Sequence, residues 1–288
     1  VARLGRARRT ALTLGVVLFA TLVLAATTRA AEEDSGFHAP SLADFFPAPI
    51  LFEGTLFEFN RITLVRVIAA LVLLALFLLA VRRPRLVPGR AQSVAEMGLE
   101  FVRNSIATEV LGKELGRRYT PLLFVMFFGI LALNITGIIP FLNIAGTSVI
   151  GMPLVFAIVA FVAFVGAGIK AHGAWGYLKT TLFPPGVPWP IYIILAPIEF
   201  LSTFILRPAT LTIRLLANMV SGHLLLVLCF SATHFLFLQT TGILSGMGAL
   251  TLAAGFAFTL FEIFIAALQA YIFALLTAVY INLSVESH

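Results

Sequence analysis

Apolar and polar positions along this chain segregate into long blocks rather than alternating every second residue. Apolar runs cover Ala11 to Ala26, Ile62 to Val81, Pro121 to Asn143, Val149 to Ile169, Ile191 to about Leu236 and about Ala249 to Leu283, each broken only by isolated polar residues. A bilayer's hydrocarbon core is about 30 Å thick and takes roughly 20 helical residues to cross, whereas a barrel strand needs about 10. Runs of this length are therefore helices, which satisfy their own backbone hydrogen bonds where lipid offers no partner. The predicted fold class is all-α: a polytopic integral membrane protein with about five transmembrane helices plus an N-terminal signal-like or extra span. The last two runs predict a long antiparallel C-terminal helix pair.

Between the runs, the polar segments give direction. Residues 1–30 carry Arg3, Arg6, Arg8 and Arg9, then the short apolar run, then a small-residue site near Thr28-Arg29-Ala30, the plan of a secretory signal. A cleaved leader and an uncleaved extra span both fit that length. Residues 31–61 are acidic, contain three prolines and predict an extracytoplasmic segment. The membrane domain then occupies residues 62–288, and its first span includes Arg66, expected near a helix end with its head drawn to the interface. Arg82, Arg83, Arg85, Arg90, Arg103, Lys113, Arg117 and Arg118 crowd the loop at about 82–120, which the positive-inside rule assigns to the cytoplasm. The same rule places the region after residue 30 outside and the C-terminus inside. Within the loop, Ser93 and Glu96 have capping-box spacing, and Val94, Met97, Phe101, Val102, Ile106 and Val110 recur at helical intervals, predicting an amphipathic surface helix.

Composition agrees with the pattern. Hydrophobic residues make up 60% and charged residues 11%, where soluble globules carry about 25% charged. The net charge of +6 arises from residues beside spans, so no nucleic-acid partner is expected; the partner is the lipid bilayer. The lone Cys229 can form no intrachain disulfide. No Gly-rich phosphate loop, metal-ligand cluster or internal repeat stands out, and no cofactor is expected.

Charge becomes informative in the last third. Between Lys179 and Glu286 the formal charges are Glu199, Arg207, Arg214 and Glu262, with His223 and His234 as further titrating groups. An Arg at the centre of a spanning helix costs about 2.5 to 3.5 kcal/mol on the translocon scale, so each is by default functional. If Ile191 to Leu236 is one helix bent at Pro197 and Pro208, then Glu199, Ser202 or Thr203, Arg207, Thr210, Arg214, Asn218 and Ser221 form one stripe. Arg214 then lies near the middle, about 22 Å from Glu199 and about 14 Å from His223. The last helix runs back with Glu262, Ala266, Gln269 and Phe273 on one face. A turn centred near Thr241 and Gly242 sets Glu262 at the depth of His223 and Gln269 at that of Arg214. Carboxylate and imidazole would then meet beside a permanent cation, an arrangement suited to passing protons. A carboxylate partner for Arg214 is missing from its own face, leaving another chain, or Glu199 or Glu262 by a bend. A structural role is the competing reading for each residue, with Glu199 and Arg207 as an ion pair and Asn218 and Gln269 as interhelical glue.

Arg207-Pro208-Ala209-Thr210-Leu211-Thr212-Ile213-Arg214-Leu215-Leu216-Ala217-Asn218-Met219-Val220-Ser221-Gly222-His223 resembles the signature of subunit a of the rotary F-type ATP synthases. Leu268-Gln269-Ala270-Tyr271-Ile272-Phe273, Asn134, Gly137 and Pro140 add to the likeness, which runs from about Phe37 to the C-terminus. The resemblance implies a bacterial plasma-membrane stator subunit beside a ring of c subunits, assembled with b subunits and the rest of the synthase, and carrying protons through two half-channels. It implies that Arg214, Asn218 and Gln269 are the family's arginine, asparagine and glutamine. His223 and Glu262 take the two positions where the family places a carboxylate and a histidine in either order, and Glu199 lines the inner half-channel. Ring carboxylates would be the missing partner, and ATP would form elsewhere in the complex. Ala217 stands where many members have glycine. The long N-terminus and Phe37-His38-Ala39-Pro40 point to an actinobacterial member. A self-contained secondary transporter or channel is the alternative.

Overall fold

The computed structural model describes residues 49–51, 59–81, 89–139, 142, 144–183, 188–239 and 243–286. The signal-like segment 1–30, most of 31–61, the arginine run 82–85 and the turn at 240–242 lie outside the described residues. Apart from two short antiparallel strands, β1 (Pro49–Leu51) and β2 (Phe59–Asn60), the described elements are helical. Five helical stretches are long and apolar enough to cross a membrane, in agreement with the predicted polytopic all-α fold.

Helix α1 (Arg61–Val81) starts where Asn60 Oδ1 accepts the backbone N–H of Thr63 at 2.9 Å, a side-chain N-cap. It buries only a narrow strip, Ile62, Val65 and Ala69, and leaves Leu71, Leu74, Leu76 and Leu79 exposed, as a helix facing lipid does. Arg66, near the start of α1, has a partner within the protein. Its Nε donates to the carbonyl of Gly146 at 2.8 Å, and Arg61 donates to that of Leu142 at 3.1 Å, so both pin α1 to the connection after the second span. That connection is tied down from within as well. Thr147 donates to Asn134 Oδ1 at 2.6 Å, Thr136 accepts from Gly146 N–H, and Ile144 through Ser148 are buried.

Helix α2 (Arg90–Val102) is the predicted surface helix, with Val94 and Met97 exposed along its apolar side. Its cap differs from the capping-box expectation. Gly89 is the N-cap and Ser93 already lies in the first turn, its N–H bonded to the Gly89 carbonyl. Glu96 accepts instead from Gln92 Nε2 at 2.7 Å. A π-helical turn (Arg103–Thr108) leads into α3 (Glu109–Ile135), so surface helix and span form one continuous stretch. The corner in that stretch is Gly112, at φ 72°, a conformation that side chains resist. Gly116 then passes so close that a Cβ there would sit 2.9 Å from the carbonyl oxygen of Ala107. Pro121, expected at the start of the span, lies inside α3.

Helix α4 (Gly151–His172) returns and stops at Gly173, φ 75°, after which the short α5 (Ala174–Leu182) forms. The expected single helix from Ile191 is present as a 50-residue stretch, Trp189–Leu238. It comprises a 3₁₀ turn (Trp189–Ile191), α6 (Tyr192–Phe200), a π turn (Leu201–Leu206) and α7 (Arg207–Leu238). The widened turn sits just before Pro208, whose missing N–H and ring disturb the regular ladder. Helix α8 (Ile243–Val285) runs back along α7.

The core joins α3, α4, α7 and α8 around Phe164, Phe273, Leu123, Met126, Leu211 and Leu215. On α8, Ala266, Ala270, Ala274 and Ala278 recur every fourth residue and are fully buried. Lipid tails are as apolar as leucine, so helices in a bilayer gain from close backbone approach rather than from escaping water, and small residues permit it. This alanine strip holds α8 tightly in the bundle, which leaves α7 at the margin.

Candidate functional site

The site lies along the α7 and α8 pair. Thr233 Oγ1 donates to Thr251 Oγ1 at 2.9 Å, and Gly222 packs against Glu262, so these contacts share a midpoint at residue 242. Register follows from small residues meeting large ones: a Cβ at Gly255 would lie 3.2 Å from the Phe230 ring, and one at Gly248 would lie 3.0 Å from Phe237.

Arg214 is exposed on the free face of α7. Thr210, Ala217 and Ser221, its neighbours along that face, are exposed too, and their bulk is small. The hydroxyls of Thr210 and Ser221 turn back onto their own helix, donating to the carbonyls of Leu206 and Ala217 at 2.8 Å each. No carboxylate among the described residues forms an ion pair with Arg214. The guanidinium is therefore offered outward, away from the bundle.

Four residues advance a helix by about 400°, which turns Asn218 roughly 40° from Arg214 and towards α8. Asn218 Nδ2 donates to Gln269 Oε1 at 2.7 Å. Gln269 thus engages the asparagine one turn beyond the arginine, rather than the arginine level set by the sequence argument. It is 2% exposed, and its Nε2 has no hydrogen-bond partner among the described residues.

Glu262 is 4% exposed, in a helix otherwise free of formal charge from Ile243 to Val285. The absence of a side chain at Gly222 makes room for it, since a Cβ there would stand 2.9 Å from Glu262 Oε1. Its Oε2 is buried without a hydrogen-bond partner among the described residues. His223 is half-buried and follows Gly222 directly, so imidazole and carboxylate occupy one level of the helix pair. Both residues lie on the same side of Arg214 along the helix pair.

Glu199, half-buried on α6, stands on the other side. It forms no ion pair with Arg207, the structural alternative from the sequence; Arg207 instead lies over the Tyr280 ring at 5.1 Å. Between Glu199 and Arg207, Thr203 is 1% exposed inside the π turn, its Oγ1 without a hydrogen-bond partner among the described residues. Sequence reasoning passed over Tyr280 as a partner, and nothing in the local spacing signals it, because the contact joins α7 to the far end of α8. No group of three or more metal-ligating side chains occurs among the described residues.

The model of the family described as ATP synthase A chain matches residues 63–282. The chain is 50% identical over 264 residues to ATP synthase subunit a of Rhodococcus erythropolis, covering 92% of this chain and 95% of that one. It is 38% identical over 259 residues to the subunit of the same name from Pseudarthrobacter chlorophenolicus, covering 89% and 97%. With that of Frankia alni the identity is 42% over 254 residues, covering 86% of each.

Proposed function

The chain belongs to the ATP synthase A chain family, and from that premise we propose how its charged residues carry protons through the membrane sector. A proton enters from the outer side and reaches the station formed by His223 and Glu262. From there it neutralises a carboxylate on a neighbouring ring of c subunits, which carries it through lipid. When the ring brings a protonated carboxylate back towards Arg214, the fixed cation favours the ionised form, and the proton leaves past Thr203 and Glu199 to the cytoplasm. The same charge repels any proton moving straight between the two paths. Asn218 and Gln269 hold the two helices in register at the level where the transfer occurs. In this arrangement the protein sits in the bacterial plasma membrane, with the residues after 30 outside and the C-terminus inside, in company with b subunits and the catalytic head.

The observation that carries this reading is the orientation of Arg214. A buried ion pair would turn inward to its partner, whereas this guanidinium stands exposed on the free face of α7 among small side chains. A cation presented this way suits a carboxylate that belongs to another chain and arrives intermittently. A self-contained transporter is not favoured, because its charges would line a path inside the bundle.

The test is ATP-driven proton pumping in inverted vesicles carrying Arg214→Ala, with assembly checked by co-purification. Pumping is expected to fall to background with the complex intact. Near-normal pumping would overturn the mechanism and leave an anchoring role.

A further inference from the structure

Away from α7, on the side of the bundle built by α1, α2 and α3, these helices do not close against one another. Three hollows of about 530, 330 and 370 Å³ follow one another there and share walls. Leu99 and Phe124 line both the first and the second, Phe77 and Phe124 both the second and the third, and Val125 both the first and the third. They form one furrow along α3, apolar except where Gln92 and Glu96, bonded to each other, line the second hollow and Arg66 the third. Its chemistry changes at one end: Arg103 and Arg117, both exposed, stand at the mouth of the largest hollow, above Pro121 and Phe124. The corner at Gly112 sets both arginines at the same hollow, since it folds the π turn holding Arg103 back beside the start of the span holding Arg117.

We propose that this furrow is a binding site for one anionic phospholipid, its phosphate held between Arg103 and Arg117 and an acyl chain laid along Leu99, Phe124 and Val125. The proposal rests on charge complementarity joined to shape. A neutral helix from another protein would fill the apolar part but leave two cations facing it, whereas a phospholipid supplies anion and chain in one molecule. From Arg117 to Phe128 the helix rises about 16 Å, close to half of the ~30 Å hydrocarbon thickness, which is the reach of one leaflet's chain. Arginine suits the head because its planar fork meets phosphate oxygens with paired donors. The site is separate from the Arg214 face, so its failure would leave the proton mechanism untouched.

The test uses the complex purified in native assembly and placed in nanodiscs containing phosphatidylglycerol with a photoreactive group on the acyl chain. Cross-linked peptides are mapped by mass spectrometry. Labelling is expected at Phe124 and Val125 and should fall at least fivefold in the double variant Arg103→Gln with Arg117→Gln. Labelling at Leu260 on α8, also exposed, should stay unchanged. A matching phosphatidylcholine probe should label the furrow as weakly as the double variant labels with the anionic lipid. Val125→Trp fills the furrow while keeping both charges, and it should abolish labelling at Phe124 even if the double variant does not assemble. Equal labelling by both lipids would overturn the site in favour of bulk lipid. Cross-links from the furrow to a partner polypeptide would overturn it in favour of a docked helix.

Discussion

Asn218 and Gln269 are each ordinary polar residues, and what distinguishes them is that each is the other's partner across two helices, 51 positions apart. Hydrogen bonds between membrane helices contribute about 0.6 kcal/mol on average and up to ~1.7 kcal/mol, as measured by double-mutant cycles. A cycle of Asn218→Ala and Gln269→Ala, followed by unfolding in mixed detergent, is expected to show coupling in that range. Strictly additive effects would mean that the pair does not hold the helices. Gly222 offers a sharper probe, because its missing side chain makes the space for Glu262. Alanine there meets only the tip of a flexible carboxylate and should be tolerated. Gly222→Val should displace the carboxylate and slow proton pumping about tenfold, ~1.4 kcal/mol on the barrier, with assembly unchanged. Pumping at the normal rate would remove Glu262 from the path. Reading the sequence found Arg214, Asn218, Glu262 and Gln269 as polar residues in apolar runs, because lipid makes each of them expensive. It did not find the glycine, since an absent side chain leaves no polarity to notice. The level of Gln269 was legible only to within a turn, as side-chain reach exceeds the rise between neighbouring residues.

Element by element, the spans were readable because their length and apolar content leave few alternatives, while their joints were not. The Ser93 and Glu96 spacing suggested a cap, but Gly89 in an extended conformation starts the helix a turn earlier. Pro121 opens the apolar run, yet the helix begins well before it; the carbonyl it frees belongs to Arg117, at the exposed basic end, where water can satisfy it. Arg66 finds a carbonyl partner in a connection 80 residues away, a contact that only tertiary structure reveals. The alanine strip of α8 carries a direct prediction. Ala274→Leu inserts bulk where no surface is left and should destabilise the bundle by about 1 to 3 kcal/mol, read as a lower midpoint of detergent unfolding. An unchanged midpoint would show that α8 has slack against α3 and α4.

For the whole molecule, helix length and bilayer thickness have to be reconciled. The 41-residue stretch Ser245–Val285 is about 62 Å long at 1.5 Å per residue, roughly twice the hydrocarbon thickness. With Glu262 as its one formal charge from Ile243 to Val285, neither half of α8 suits water, so α7 and α8 are expected to run obliquely through the membrane. Polarised infrared dichroism on oriented bilayers should therefore give a mean helix tilt well above the usual ~20°, and an ordinary value would show that the long helices stand upright. The small side chains flanking Arg214 acquire a mechanical meaning in this setting. Helices lock together where ridges of large side chains drop into grooves, and each such fit is a resting position that must be climbed out of. Thr210, Ala217 and Ser221 give α7 a strip of small side chains around Arg214, so on the proposed mechanism a ring moving past it would meet shallow barriers, and the face would work as a bearing whose one firm detent is electrostatic.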